Sequence, residues 1–201
     1  MRESILMPEE IKSFCSSIEN GLNSITDRRE EVSSFVYTIR KALQRPHETD
    51  NSLTSGYYHK TSFMNMPIIL YWDIPLLLKS DERPTPIKVC VNHLMKNLDP
   101  FLFEDPFAKP RTSGPILLAE LPFIETGYCI IDGNHRLIQA QNKGDQTISA
   151  KWYRPKQHIK YMTPYSALLA TVCTNTVYFS EYLVGTISRN NYAYLSVKIP
   201  D

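Results

Sequence analysis

The chain has 201 residues, 42% of them hydrophobic and 21% charged, the balance of one folded domain with room for an extension and not of a disordered segment. Lysine and arginine number 22 against 21 acidic residues, a formal net charge of +1, so a chain-wide electrostatic grip on nucleic acid is not expected, whereas a local basic patch stays open. Cys15, Cys90, Cys129 and Cys173 lie far apart without a C-x-x-C pair, which points to a reducing cytoplasm rather than a disulfide scaffold. Met1-Arg2-Glu3-Ser4 runs into Glu9-Glu10 with no apolar core, so no signal peptide is expected. The most apolar stretch, 67–78, is broken by Asp73 and is shorter than the roughly 20 residues a bilayer requires, so no membrane partner is expected.

The first 45 residues read as a helical hairpin. Pro8, Glu9 and Glu10 suit a first helical turn, and Ile11, Phe14, Cys15, Ile18 and Leu22 recur as one stripe. Thr26-Asp27 with Glu30 offers the cap of a second helix carrying Val32, Phe35, Val36, Ile39 and Leu43, which Pro46 stops. Residues 46–66 read as a long loop, and Pro67, Pro75, Pro84 and Pro86 then favour strands or extended chain over a long helix. A strand at 87–91, a short helix at 93–98 and a proline-rich loop at 99–115 follow. Strands are expected at 116–121, 128–131 and 147–153, with a helix at 135–143 that Asn134 caps and Gly144 ends. Beyond them come a helix at 164–173, an ambiguous stretch at 176–187 and, from the alternation at 192–199, a terminal strand. The class is α+β, a small mixed sheet, divided as residues 1–66 (helical hairpin and loop), 67–160 (core) and 161–201 (extension packed on the core).

Asp132-Gly133-Asn134-His135-Arg136 joins a strand to a helix and carries the clearest chemistry. Glycine permits the sharp turn, the first N–H groups of a helix lack intrahelical acceptors, and the helix dipole favours an anion there. His135 and Arg136 add donors, and arginine can fork onto phosphate oxygens. Asp132 repels a bare phosphate but suits a metal-bridged one or a hydroxyl nucleophile. The alternative is a structural Asp-Gly turn with local hydrogen bonds and a solvated Arg136.

Residues 130–137 with Ala140 and Gly144 resemble the core of the ParB/sulfiredoxin-like superfamily, over about residues 85–155 and most sharply over 128–150. The resemblance implies a sheet of that type and a turn that binds nucleotide phosphate through Gly133, Asn134, His135 and Arg136. It implies ATP, ADP or CTP as ligand, with Mg²⁺, and phosphoryl transfer or nucleotide hydrolysis. Asn134 stands where sulfiredoxins have cysteine, which argues against sulfinic-acid repair, and no helix-turn-helix is evident in the remaining 45 or so residues. The acid before the glycine is nearest to the kinase-like members, so Asp132 is the candidate for chemistry, with Glu120 as a second carboxylate in the same cleft.

Lys151, Arg154, Lys156 and Lys160, interleaved with Trp152, Tyr153 and Tyr161, form a candidate basic edge for nucleic acid or a nucleotide. Tyr57-Tyr58 offers a partner surface or, more simply, half-buried sheet tyrosines. Cys90 and His93 with Cys129 and His135 could supply zinc ligands, though the spacing matches no zinc pattern, and a strand cysteine is the simpler reading. The competing functions are a non-catalytic binding protein that meets a protein partner through its flanks, such as a toxin-neutralising immunity protein or accessory regulator, and a DNA-binding regulator or nuclease.

Overall fold

In the computed structural model, residues 5–46, 57–96, 98 and 113–199 are described. Helix α1 (Pro8–Asn23) starts on its proline, and the Glu10 carboxylate accepts the Met7 N–H at 2.7 Å. Ile11, Phe14, Cys15, Ile18 and Leu22 are all buried, as the stripe requires. Helix α2 (Arg29–Leu43) begins later than the expected cap. Thr26 Oγ1 instead accepts the N–H of Arg28 at 3.3 Å, a local side-chain turn that delays the helix. Its buried face is Val32, Val36, Ile39 and Leu43, and Phe35 stacks on Phe179 at 4.2 Å.

The loop expected at 46–66 is corrected over its second half, while 47–56 lie outside the described residues. Strands β1 (Tyr57–Phe63) and β2 (Met66–Trp72) form an antiparallel hairpin in which Phe63 faces Met66. Met64 and Asn65 both take positive φ, which a tight two-residue hairpin turn demands. Neither is glycine, so the turn carries no Gly signal and its sequence reads as loop. Asp73 then accepts the Leu76 N–H at 2.8 Å and caps the short helix α3 (Ile74–Leu78).

Strand β3 (Thr85–Cys90), helix α4 (Val91–Met95), strands β4 (Ile116–Glu120) and β5 (Tyr128–Asp132), helix α5 (Asn134–Lys143) and strand β6 (Thr147–Tyr153) build the central layer. Of the loop expected at 99–115, residues 99–112 lie outside the described residues. The sheet order is β3-β6-β4-β5, with β6 parallel to β4 and the other two pairs antiparallel. Strand alternation divides its residues between two faces. Ile116, Leu118, Tyr128, Ile130 and Ala150 pack with Val91, Leu94, Leu137 and Ala140 of α4 and α5. Leu117, Ala119, Cys129, Ile131 and Tyr153 face a larger cluster built from α1, α2, β2 and α7. The hairpin crosses the expected 66/67 boundary, and this larger cluster draws residues from all three expected segments.

After the short α6 (Pro155–His158) and a 3₁₀ turn at 159–161, helix α7 runs over Pro164–Leu183. It is longer than its sequence suggested because it is buried on almost every side and so shows no polar stripe. The expected terminal strand is corrected to helix α8 (Arg189–Leu195) followed by extended chain. Ser188 Oγ accepts the Asn191 N–H at 3.2 Å, and Asn175 holds Val197 by two hydrogen bonds of 2.8 Å, so no sheet edge recruits the segment. Among the described residues no helix is long and apolar enough to cross a membrane.

Candidate functional site

Gly133 sits between β5 and α5 with φ 103°, a conformation that disfavours every residue with a side chain. A Cβ there would meet Ile116 Cγ2 at 2.6 Å and Arg136 Nη2 at 2.7 Å. The turn therefore packs against the start of β4 and against its own arginine. Leu137 N–H makes the first helical bond, to Gly133 O at 3.0 Å, which puts the N–H groups of Asn134, His135 and Arg136 in the donor-rich first turn.

Arg136 is not at the cleft surface, as the phosphate reading expected, but 9% exposed. Its guanidinium folds back across the turn to donate to Asp132 Oδ2 at 2.9 Å and to Ser113 O at 3.2 Å. The i,i+4 spacing brings the two charges together and the packing around them keeps them there. Asp132 Oδ2 is thereby engaged as an ion-pair acceptor. His135 is half-buried and has no hydrogen bond to a described residue.

Glu120 does not share this cleft. Leu117 of β4 pairs with Asp132, whereas Glu120 pairs with Tyr128 at the other end of the two strands, about 10 Å further along at 3.3 Å per residue. There Glu120 Oε2 accepts the indole N–H of Trp152 at 2.8 Å, and burial together with the nearby Glu120 charge raises the Tyr178 hydroxyl above its ordinary range. The Glu120 carbonyl meets His158 Nε2 at 2.9 Å, and His158 Nδ1 accepts the Trp72 indole N–H at 3.2 Å. That pair assigns the proton to Nε2. Burial pushes the His158 pKa down to about 4, so the ring is neutral at pH 7.

The basic edge divides. Arg154 and Lys156 line a cavity of about 830 Å³ around Glu120, whereas Lys151, which alternates with Trp152 along β6, is exposed and outside it. Lys160 pairs with Glu82. A single basic strip is therefore not formed by these four residues.

A second cavity, of about 710 Å³, opens at the α5 turn. Asn134 lines it together with Lys60, Lys96, Tyr58 and Tyr128. Asn134 Oδ1 is buried and, among the described residues, has no hydrogen-bond partner. Lys60 comes from β1 and Lys96 from the end of α4, positions with no shared sequence signal. Neither was legible as a site residue, and only the packing of β1 near β5 brings Lys60 to this edge.

The cysteines divide as well. Cys129 is buried in the sheet, and burial pushes its thiol well above the ordinary range, while Cys90 is exposed at the end of β3. Among the described residues no group of three or more His, Cys, Asp or Glu gathers as a metal site would require, so Cys90, His93, Cys129 and His135 do not form the set weighed from the sequence. No family model, curated protein or solved structure matches the chain.

Proposed function

We propose that the chain binds a nucleotide through its phosphates at the first turn of α5, as the ParB/sulfiredoxin-like resemblance implies. The observation that carries this reading is the cavity of about 710 Å³ that Asn134 lines together with Lys60, Lys96 and two tyrosines. Its size lies within the range of small-molecule sites, roughly 300–1,000 Å³. Helix N–H groups and the two lysines suit the phosphates, Tyr58 and Tyr128 suit a base or ribose, and the unpaired Asn134 Oδ1 suits a hydroxyl or amino donor. Gly133 shapes the turn, and Arg136 supports it from behind rather than touching the ligand. Mg²⁺ would be carried in by the phosphates, because Asp132 is held by Arg136.

The same ion pair favours binding without turnover. Turnover at this turn through the candidate carboxylates would need Asp132 or Glu120 free beside the bound phosphate to take a proton. Asp132 is engaged, and Glu120 lies at the far strand end. This arrangement suits the regulator or immunity-protein reading on a ligand-binding fold more than the kinase, hydrolase or nuclease readings. A thermal-shift screen of ATP, ADP and CTP, each with and without Mg²⁺, tests it by mass action. At least one nucleotide should raise the midpoint, with Lys60→Ala and Lys96→Ala each weakening binding about tenfold or more, the scale of a hydrogen bond to a charged group. The purified chain should release no phosphate. No shift at millimolar nucleotide overturns the binding reading, and release that Asp132→Asn abolishes restores the enzyme.

A further inference from the structure

The cavity around Glu120 stands apart from the α5 turn, and its charges are arranged in an unusual way. One carboxylate, Glu120, lies half-buried at the end of β4 and is fixed by Trp152, while the His158 ring fixes its carbonyl. Three cations, Arg83 from the chain before β3 and Arg154 and Lys156 from the start of α6, line the same cavity, and all three are exposed. Lys156 is anchored on the Tyr194 carbonyl and lies over the Tyr194 ring. Among the described residues, neither Arg83 nor Arg154 has an ion pair. The Trp152 indole and Tyr194 supply apolar wall.

The three basic side chains draw an anion to this cavity, but an anion alone leaves the half-buried Glu120 carboxylate without a cationic partner, and a cation alone meets the three basic side chains. A molecule with both charges satisfies both. We infer that this cavity is a binding site for a small zwitterion, whose ammonium or guanidinium group pairs with Glu120 and whose carboxylate or phosphate pairs with Arg83 and Arg154. A fixed partner makes Glu120 a ready acceptor, since the Trp152 indole orients it before any ligand arrives. The two guanidiniums supply planar donors for the anionic end.

The test uses ω-amino carboxylates from glycine to 6-aminohexanoate, which vary the separation of the two charges, with O-phosphoethanolamine as a phosphate counterpart. Butylamine, butyrate and inorganic phosphate serve as single-charge controls. Binding to the full chain is read from Trp152 fluorescence, with Trp152→Phe removing the signal. The expected result is saturable binding that peaks at one charge separation, at least about tenfold tighter than any control, a difference of about 1.4 kcal/mol. Glu120→Gln, which keeps an acceptor for Trp152, should abolish the advantage over the controls. Arg154→Ala, at an exposed position, should weaken the dipolar probes about tenfold without altering the melting temperature. Absence of saturable binding by every dipolar probe, or binding by inorganic phosphate alone that is indifferent to Glu120→Gln, overturns the inference. The two cavities share no lining residue, so phosphate binding that Lys60→Ala weakens and Arg154→Ala leaves unchanged belongs to the α5 turn, and the two readings fail separately.

Discussion

Arg136 shows how one side chain's direction changes the meaning of a motif. On a solvated helix face it would reach outward to an anion. Here it turns inward, and removing it leaves Asp132 and the Ser113 carbonyl without their donor. Arg136→Ala should therefore destabilise the fold by about 1–3 kcal/mol, the cost of stranding partly buried polar groups, and a urea titration reads this directly. A surface arginine would leave the midpoint unchanged. His158 makes a second residue-level prediction. Its folded pKa of about 4 lies below the ordinary 6.5, so the unfolded chain binds the proton more readily. The stability it contributes is fully present above about pH 6.5 and declines as the pH falls toward 4, by on the order of 3 kcal/mol. Stability curves of the wild type and His158→Gln between pH 4 and 7 should differ in slope, with the variant flatter. Parallel curves would place the titration elsewhere.

Among the elements, α8 is the instructive one. Tyr192, Tyr194 and the residues between them alternate in polarity, which favours a strand in isolation. Ser188 nevertheless caps a helix, and Tyr192 stacks on Tyr182 at 5.7 Å and packs near Phe179. Ser188→Ala should cost about 1 kcal/mol by loss of the cap, measured as a lower urea midpoint with reduced helical circular dichroism. A terminal strand would be indifferent to that change. The β1–β2 hairpin offers the converse case, where period-2 chain was hidden because its turn uses Met64 and Asn65 rather than glycine. Helix α7 outruns its sequence signal for a third reason: a helix buried on almost every side has no amphipathic signature to extend.

At the scale of the whole molecule, alternate residues of β4 and β5 belong to opposite clusters, so the one sheet is a wall of both. Trp72 lies in the larger cluster and Trp152 packs against the smaller one. Their fluorescence therefore reports the two sides separately. Urea unfolding of Trp72→Phe and of Trp152→Phe should each show a fluorescence midpoint that coincides with far-ultraviolet circular dichroism in the same variant. An earlier transition at Trp152 would reveal two independently melting units.

The sequence by itself determined the two amphipathic helices at the start, the three strands around residues 116–153 and the turn at Gly133. Each is written in local terms: a periodicity, a proline, a glycine that must reverse the chain. Only tertiary structure decided what those elements do to one another. Pairing register sent Glu120 to the opposite strand end from Asp132, and close packing folded Arg136 back onto the turn. The same long-range contacts carried Lys60 and Lys96 to the cavity that Asn134 lines, and drew Arg83, Arg154 and Lys156 around Glu120. A side chain's reach and partners depend on residues far away in the chain, so local spacing identified the turn while the pairing of the strands and the packing of the helices composed the sites around it.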